Sequence, residues 1–140
     1  MKYDYLKEPY SLDTRKPYIA RPMIPIRLSL KAMKIETFAL IDSGADQSLF
    51  NASFARELLI DLEDGKKQTF RGIGEGTVDV YLHTIKLQIM GSPEALEIEV
   101  GFTESSGVDA ILGQADFFEH HKITFERYKE RIEIKPRKLQ

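Results

Sequence analysis

The sequence predicts a mostly β fold, a barrel or sandwich of short strands. Apolar and polar residues alternate in separate runs, among them Met23 to Leu30, Val78 to Leu82 and Leu96 to Phe102; period two marks a strand with one buried face. Turn-forming residues interrupt these runs about every 8 to 12 residues, the spacing of small antiparallel architectures. Helical patterning is confined to Phe54–Leu59 and Gln114–His120, each one or two turns long.

Length and charge narrow the class. A chain of 140 residues is the size of one domain and buries about two thirds of its unfolded surface, enough to fold without staples. With 20 basic and 22 acidic residues and no long run of one sign, the footprint of a nucleic-acid-binding surface is missing. The basic cluster Lys135-Pro136-Arg137-Lys138 reads as a solvated end, with 137–140 as a tail. The absence of cysteine removes disulfides and thiolate chemistry and is compatible with a reducing compartment. Met1 to Lys7 carries charge where a signal peptide needs an apolar core, and no run approaches the roughly 18 apolar residues of a membrane span. The expected setting is the cytoplasm, with no membrane partner. Asn51-Ala52-Ser53 fits a glycosylation sequon, which carries no weight without a secretory signal.

Along the chain, residues 1–18 are rich in Tyr, Lys, Asp and Pro without a steady period. They are expected to form an arm draped over the domain or a partner subunit. The domain itself is expected to span 19–136. Pro22 and Pro25 put the start of its first strand at an edge, because proline cannot donate to a ladder. A short connection near Lys31 to Lys34 leads into a second strand ending at Asp42. Ser48-Leu49-Phe50 reads as a brief strand, with Asn51 or Ser53 as N-cap of the helix that follows. Val78 to Met90 is a long extended segment, Gly91-Ser92-Pro93 a turn, Leu96 to Phe102 a strand and Val108 to Gly113 a short buried strand. A hairpin around Arg127-Tyr128-Lys129 closes the chain.

Chemistry concentrates at Phe38-Ala39-Leu40-Ile41-Asp42. The apolar run reads as a strand buried on both faces, so it delivers Asp42 to a place where desolvation is strong and a lone carboxylate costly. One reading makes Asp42 the cap of the turn Ser43-Gly44-Ala45; the other gives it a chemical task. Two later stretches bear on the choice. In Gly72-Ile73-Gly74-Glu75-Gly76 glycines alternate with larger residues, which suits a hairpin tip that must bend and let another backbone approach. No helix follows it, so a phosphate-cradling loop fits poorly. The third stretch is Ala110-Ile111-Leu112-Gly113.

In this order, Leu40 to Ala45, Gly72 to Gly76 and Ile111 to Gly113 resemble the retropepsin-like (retroviral-type) aspartic proteases, most of all the small single-domain bacterial versions. The likeness covers roughly residues 20 to 136. It implies a closed acid-protease barrel with one or two short helices, acting as an aspartic endopeptidase on peptide or protein substrates without a cofactor. It implies Asp42 as the catalytic aspartate, with Ser43, Gly44, Ala45 and Gly113 supporting the active-site loop. Gly72, Ile73, Gly74, Glu75 and Gly76 would form a substrate-binding flap. Two carboxylates sharing one proton can serve as acid and base, and aspartic proteases are the best-known instance. Like charges about 4 Å apart repel by about 4 kcal/mol at an effective dielectric near 20, which keeps one carboxyl of such a pair protonated. With one Asp-Ser-Gly in the chain, the second aspartate must come from a homodimer. The family pattern departs at Gln114, where retroviral members carry an arginine that pairs with the aspartate at the position of Asp46; Asp116 is expected instead as a helix-related acid of the kind bacterial relatives carry nearby.

Other constellations are weaker. Glu119-His120-His121 with distant His83 hints at metal, but neighbouring helical histidines diverge by about 100°, so polar side chains on the surface are the better reading and no metal is expected. A triad of Ser43, Ser48 or Ser53 with His83 lacks a nucleophile elbow. Tyr3, Tyr5, Tyr10 and Tyr18 read as packing or interface residues rather than stacking platforms. The rival function is a catalytically silent peptide-binding or dimerisation module on the same barrel.

Overall fold

The computed structural model describes residues 1–9, 15, 18–71 and 76–138. Its strands are β1 (Lys2–Asp4), β2 (Leu6–Pro9), β3 (Tyr18–Arg21), β4 (Met23–Leu30), β5 (Met33–Ile41) and β6 (Leu49–Asn51). They continue with β7 (Lys66–Arg71), β8 (Thr77–Ile89), β9 (Ala95–Thr103), β10 (Ala110–Leu112), β11 (His121–Glu126) and β12 (Arg131–Pro136). One α-helix, α1 (Ala52–Glu57), follows β6.

The largest sheet runs β4-β5-β10-β6-β9-β8-β7, and β8 pairs with β4 as well. Six strands therefore close into a hydrogen-bonded ring, sealed by antiparallel pairs from Ile26 opposite Ile89 to Ser29 opposite Lys86. β8 achieves this by length: Thr77 to Leu82 pair with β7, and Lys86 to Ile89 with β4. The period-two runs set which side faces in. On β4, Ile24, Ile26 and Leu28 are fully buried while Met23, Pro25 and Arg27 face out. Val80, Ile85, Leu87, Ile98, Val100 and Phe102 fill the interior from β8 and β9.

The stretch Phe38 to Ile41 differs from its sequence reading. Ala39 and Ile41 are buried, but Phe38 is exposed and Leu40 only half-buried. β5 is part of a single-layer wall, so only one of its faces meets the core.

The short helix begins on its expected cap. The Asn51 side chain accepts the Ser53 N–H at 3.0 Å, satisfying one of the first-turn donors that a helix leaves open. It stops by Leu58, since Leu59 takes a left-handed φ of 59°. Between Gln114 and His120 only a 3-10 turn at Phe118–His120 forms; Asp116, with φ of 66°, interrupts a continuous helix.

Residues ahead of the ring join regular structure too. β1 pairs with β12 in a sheet of order β1-β12-β11, and β2 pairs with β3. Tyr5, between them, is buried and donates its N–H to the Glu130 carbonyl at 2.8 Å.

Candidate active site

β10 is inserted between the strands that flank the Asp42 turn. It runs parallel to β5, with Leu112 opposite Ile41, and antiparallel to β6, with Ile111 opposite Leu49. The Asp42 N–H extends the first ladder to the Leu112 carbonyl at 3.0 Å. Asp42 thus leaves the ring at a point tied by backbone to β10.

The turn is then tied from within and from below. The Ala45 N–H donates to the Asp42 carbonyl at 3.2 Å, and the Gly44 N–H to Asp42 Oδ1 at 2.9 Å. Asp42 therefore does cap its own turn, as the plainer sequence reading has it. Below, the Gln114 N–H reaches the Ala45 carbonyl at 2.8 Å and the Ala115 N–H the Asp46 carbonyl at 2.9 Å. Gly113 lies so close beneath that an added Cβ would stand 2.6 Å from the Ala45 carbonyl oxygen and 2.7 Å from that of Gln47. The Gly113 N–H is met by the Ser48 hydroxyl oxygen at 3.0 Å, fully buried. Asp42, Ser43, Gly44, Ala45 and Gly113 are brought together, with Ser43 and Gly44 exposed and Asp42 and Ala45 half-buried.

On the outer side of the ring, level with Leu40, runs a row of apolar side chains. Met23 on β4 and Ile111 on β10 are the register partners of Leu40 on either side. All three are half-buried, whereas their neighbours Ile24, Ala39, Ile41, Ala110 and Leu112 are buried. They floor a pocket of about 250 Å³.

The glycine-rich hairpin is formed by β7 and β8, paired out to Arg71 opposite Thr77. Gly76 takes a φ of 123°, a conformation that favours glycine. Gly72, Ile73, Gly74 and Glu75 lie outside the described residues.

By sequence, no family model and no curated protein matches the chain. By structure, a retropepsin-like aspartic protease from Rickettsia conorii superposes with a TM-score of 0.59 at 16% identity, covering 80% of this chain and 88% of that one. The retroviral protease-like domain of Ddi1 from Leishmania major gives 0.57 at 17% identity, covering 83% and 89%. The fold is retropepsin-like.

Within this retropepsin-like frame Gln114 does not reach Asp46. Its side chain donates from Nε2 to the Ser43 carbonyl at 2.7 Å. Asp116 serves elsewhere, its Oδ2 accepting the Glu99 N–H at 2.7 Å. The histidines are spent on backbone carbonyls: His83 on Leu62, His120 on Asp116 and His121 on Phe117. Among the described residues no group of three His, Cys, Asp or Glu stands close enough to hold a metal ion. Nor is any helix among them long and apolar enough to cross a membrane.

Sequence reasoning missed two supports of the site. Ser48 is visible as a small hydroxyl residue between the turn and an apolar strand, but its partner Gly113 is 65 positions away. The sequence marks Asn51 as a cap and as part of a sequon, but its Nδ2 also donates to the carbonyls of Ser105 and Val108, both at 3.2 Å, and so anchors the loop ahead of β10.

Proposed function

We propose that the chain is an aspartic endopeptidase that works as a homodimer, with Asp42 of each copy on a two-fold axis. The observation that carries this reading is that Asp42 stands on an exposed, backbone-anchored turn directly after β5 in a retropepsin-like fold. A chain with one such aspartate needs a second copy to complete an acid pair. In the pair one carboxyl stays protonated and acts as acid, while its partner takes a proton from water that attacks the peptide carbonyl. Asp42 Oδ1 is held by the Gly44 N–H, which fixes the carboxylate plane before a partner arrives. Ser43 would hydrogen-bond across the axis, Gly44 and Ala45 would let the substrate backbone approach, and the segment 72–76 would act as the flap over an extended peptide.

The test is Asp42→Asn. Cleavage of an unfolded protein at mildly acidic pH should vanish while circular dichroism and sedimentation still report the same fold and dimer. Cleavage that persists removes Asp42 from the mechanism.

A second reading, a silent peptide-binding or dimerisation module, is favoured by Gln114 standing where an arginine would pair with Asp46. It expects the wild type to bind peptides and dimerise without cleaving them at any protein concentration.

A further inference from the structure

We infer that the N-terminal hairpin β2–β3 makes the pocket on the outer side of β5 selective, through Glu8, for an extended peptide with a basic side chain two residues from an apolar one. The inference rests on the proteolytic reading above for its activity arm, and on the pocket alone for its binding arm.

Leu40 is the next-to-last residue of β5 and shares the outer face with Phe38, two residues ahead of the Asp42 turn. The pocket floored by Met23, Leu40 and Ile111 therefore opens on the outer side of β5, two residues along the chain from Asp42. Its volume of about 250 Å³ lies below the roughly 300–1,000 Å³ typical of small-molecule sites. It suits a single apolar side chain of a longer ligand.

The rim is charged. Glu8 and Arg21 line the pocket as an ion pair at 3.5 Å, both about half exposed, and Asp109 lines it from the other side. Two carboxylates against one guanidinium leave the rim with a net charge of about -1, complementary to a cation. The hairpin is held there by backbone: β2 pairs with β3, and the carbonyl of Pro22, which follows β3, accepts the Ile41 N–H at 2.9 Å. In an extended peptide residues i and i+2 point the same way, about 7 Å apart. A basic side chain two positions from the buried apolar one is thus brought to the rim, whereas an acidic one meets like charge.

The experiment compares three peptides identical except for Lys, Ala or Glu two positions from the apolar residue. Wild-type dimer should cleave them in the order Lys, Ala, Glu, with several-fold steps in kcat/KM that shrink as salt is raised. Glu8→Gln should compress that order and Glu8→Lys invert it, with unfolding midpoints confirming that both variants fold. Binding of the same peptides to Asp42→Asn, followed by fluorescence polarisation, should give the same order. Should the wild type cleave nothing while Asp42→Asn keeps the order, the proteolytic reading fails and the rim assignment stands. Equal handling of the Lys and Glu peptides, or a preference that survives Glu8→Lys, overturns it.

Discussion

Gln114 Nε2 lies 2.7 Å from the Ser43 carbonyl oxygen, while the Gln114 N–H lies 2.8 Å from that of Ala45. One residue therefore clamps the Asp42 turn at both ends. The clamp is internal to the chain and needs no ion pair with Asp46. Gln114→Met keeps the shape and loses the side-chain donor. It should cost no more than about 1 kcal/mol in stability, since the bond is exposed to water, and, if the proposed proteolysis holds, lower kcat several-fold with KM unchanged. Gln114→Glu turns a carboxylate on the Ser43 carbonyl and should lower kcat further. Denaturant titration and steady-state peptide cleavage decide, and a kcat equal to wild type in both variants refutes the clamp.

Gly113→Ala tests the floor of the turn. The new Cβ would press on the backbone of Ala45 and Gln47, at 2.6 and 2.7 Å from their carbonyl oxygens, and backbone cannot swing aside as a side chain can. A loss of about 1–3 kcal/mol is expected. Gly107→Ala is the control, because its Cβ would stand 3.7 Å from Ser105 Oγ; that change should stay within about 0.5 kcal/mol. Equal effects in chemical denaturation would contradict the packing argument.

Asn51 caps α1 with one side-chain atom and anchors the 105–108 loop with the other. Asn51→Asp keeps the cap and replaces the donor with a carboxylate facing two carbonyls. Amide exchange at 105–108 should quicken while α1 stays protected. Asn51→Ala should loosen both and cost about 1–2 kcal/mol. A loop equally protected in both variants would show that Asn51 Nδ2 does not hold it.

His121 gives the fold a pH dependence of its own. Burial pushes its ring below the ordinary 6.5, and neighbouring His120 adds to the lowering, against the opposing hydrogen bond to the Phe117 carbonyl at 2.7 Å. The unfolded chain takes up the proton more readily than the folded one. The contribution is therefore fully present above about pH 6.5 and is lost as pH falls through the folded-state value. His121→Phe should flatten the fall in unfolding midpoint between about pH 7 and 5. An unchanged slope would place the titrating group elsewhere.

Local pattern carried much of this molecule. Alternation in Met23 to Leu30 and Leu96 to Phe102 reports burial on one face, and Asn51 is a cap because its side chain reaches a donor two residues on. Those interactions span a few positions, so they can be read from the chain itself. Asp42 at the end of β5 and the short strand at Ala110–Leu112 were legible for the same reason.

Assembly decided the rest. β1 and β2 have no steady period, and their strand state comes from β12, more than 120 residues on, and from β3. Phe38 and Leu40 look like core until the closure of the ring gives β5 an outer face. The Gln114 clamp, the Ser48 hydroxyl under Gly113 and the Glu8 rim each join segments that only a folded wall brings within hydrogen-bond or Coulomb range. Such contacts depend on which strands become neighbours, a choice made by the whole set of pairings at once rather than by any single stretch.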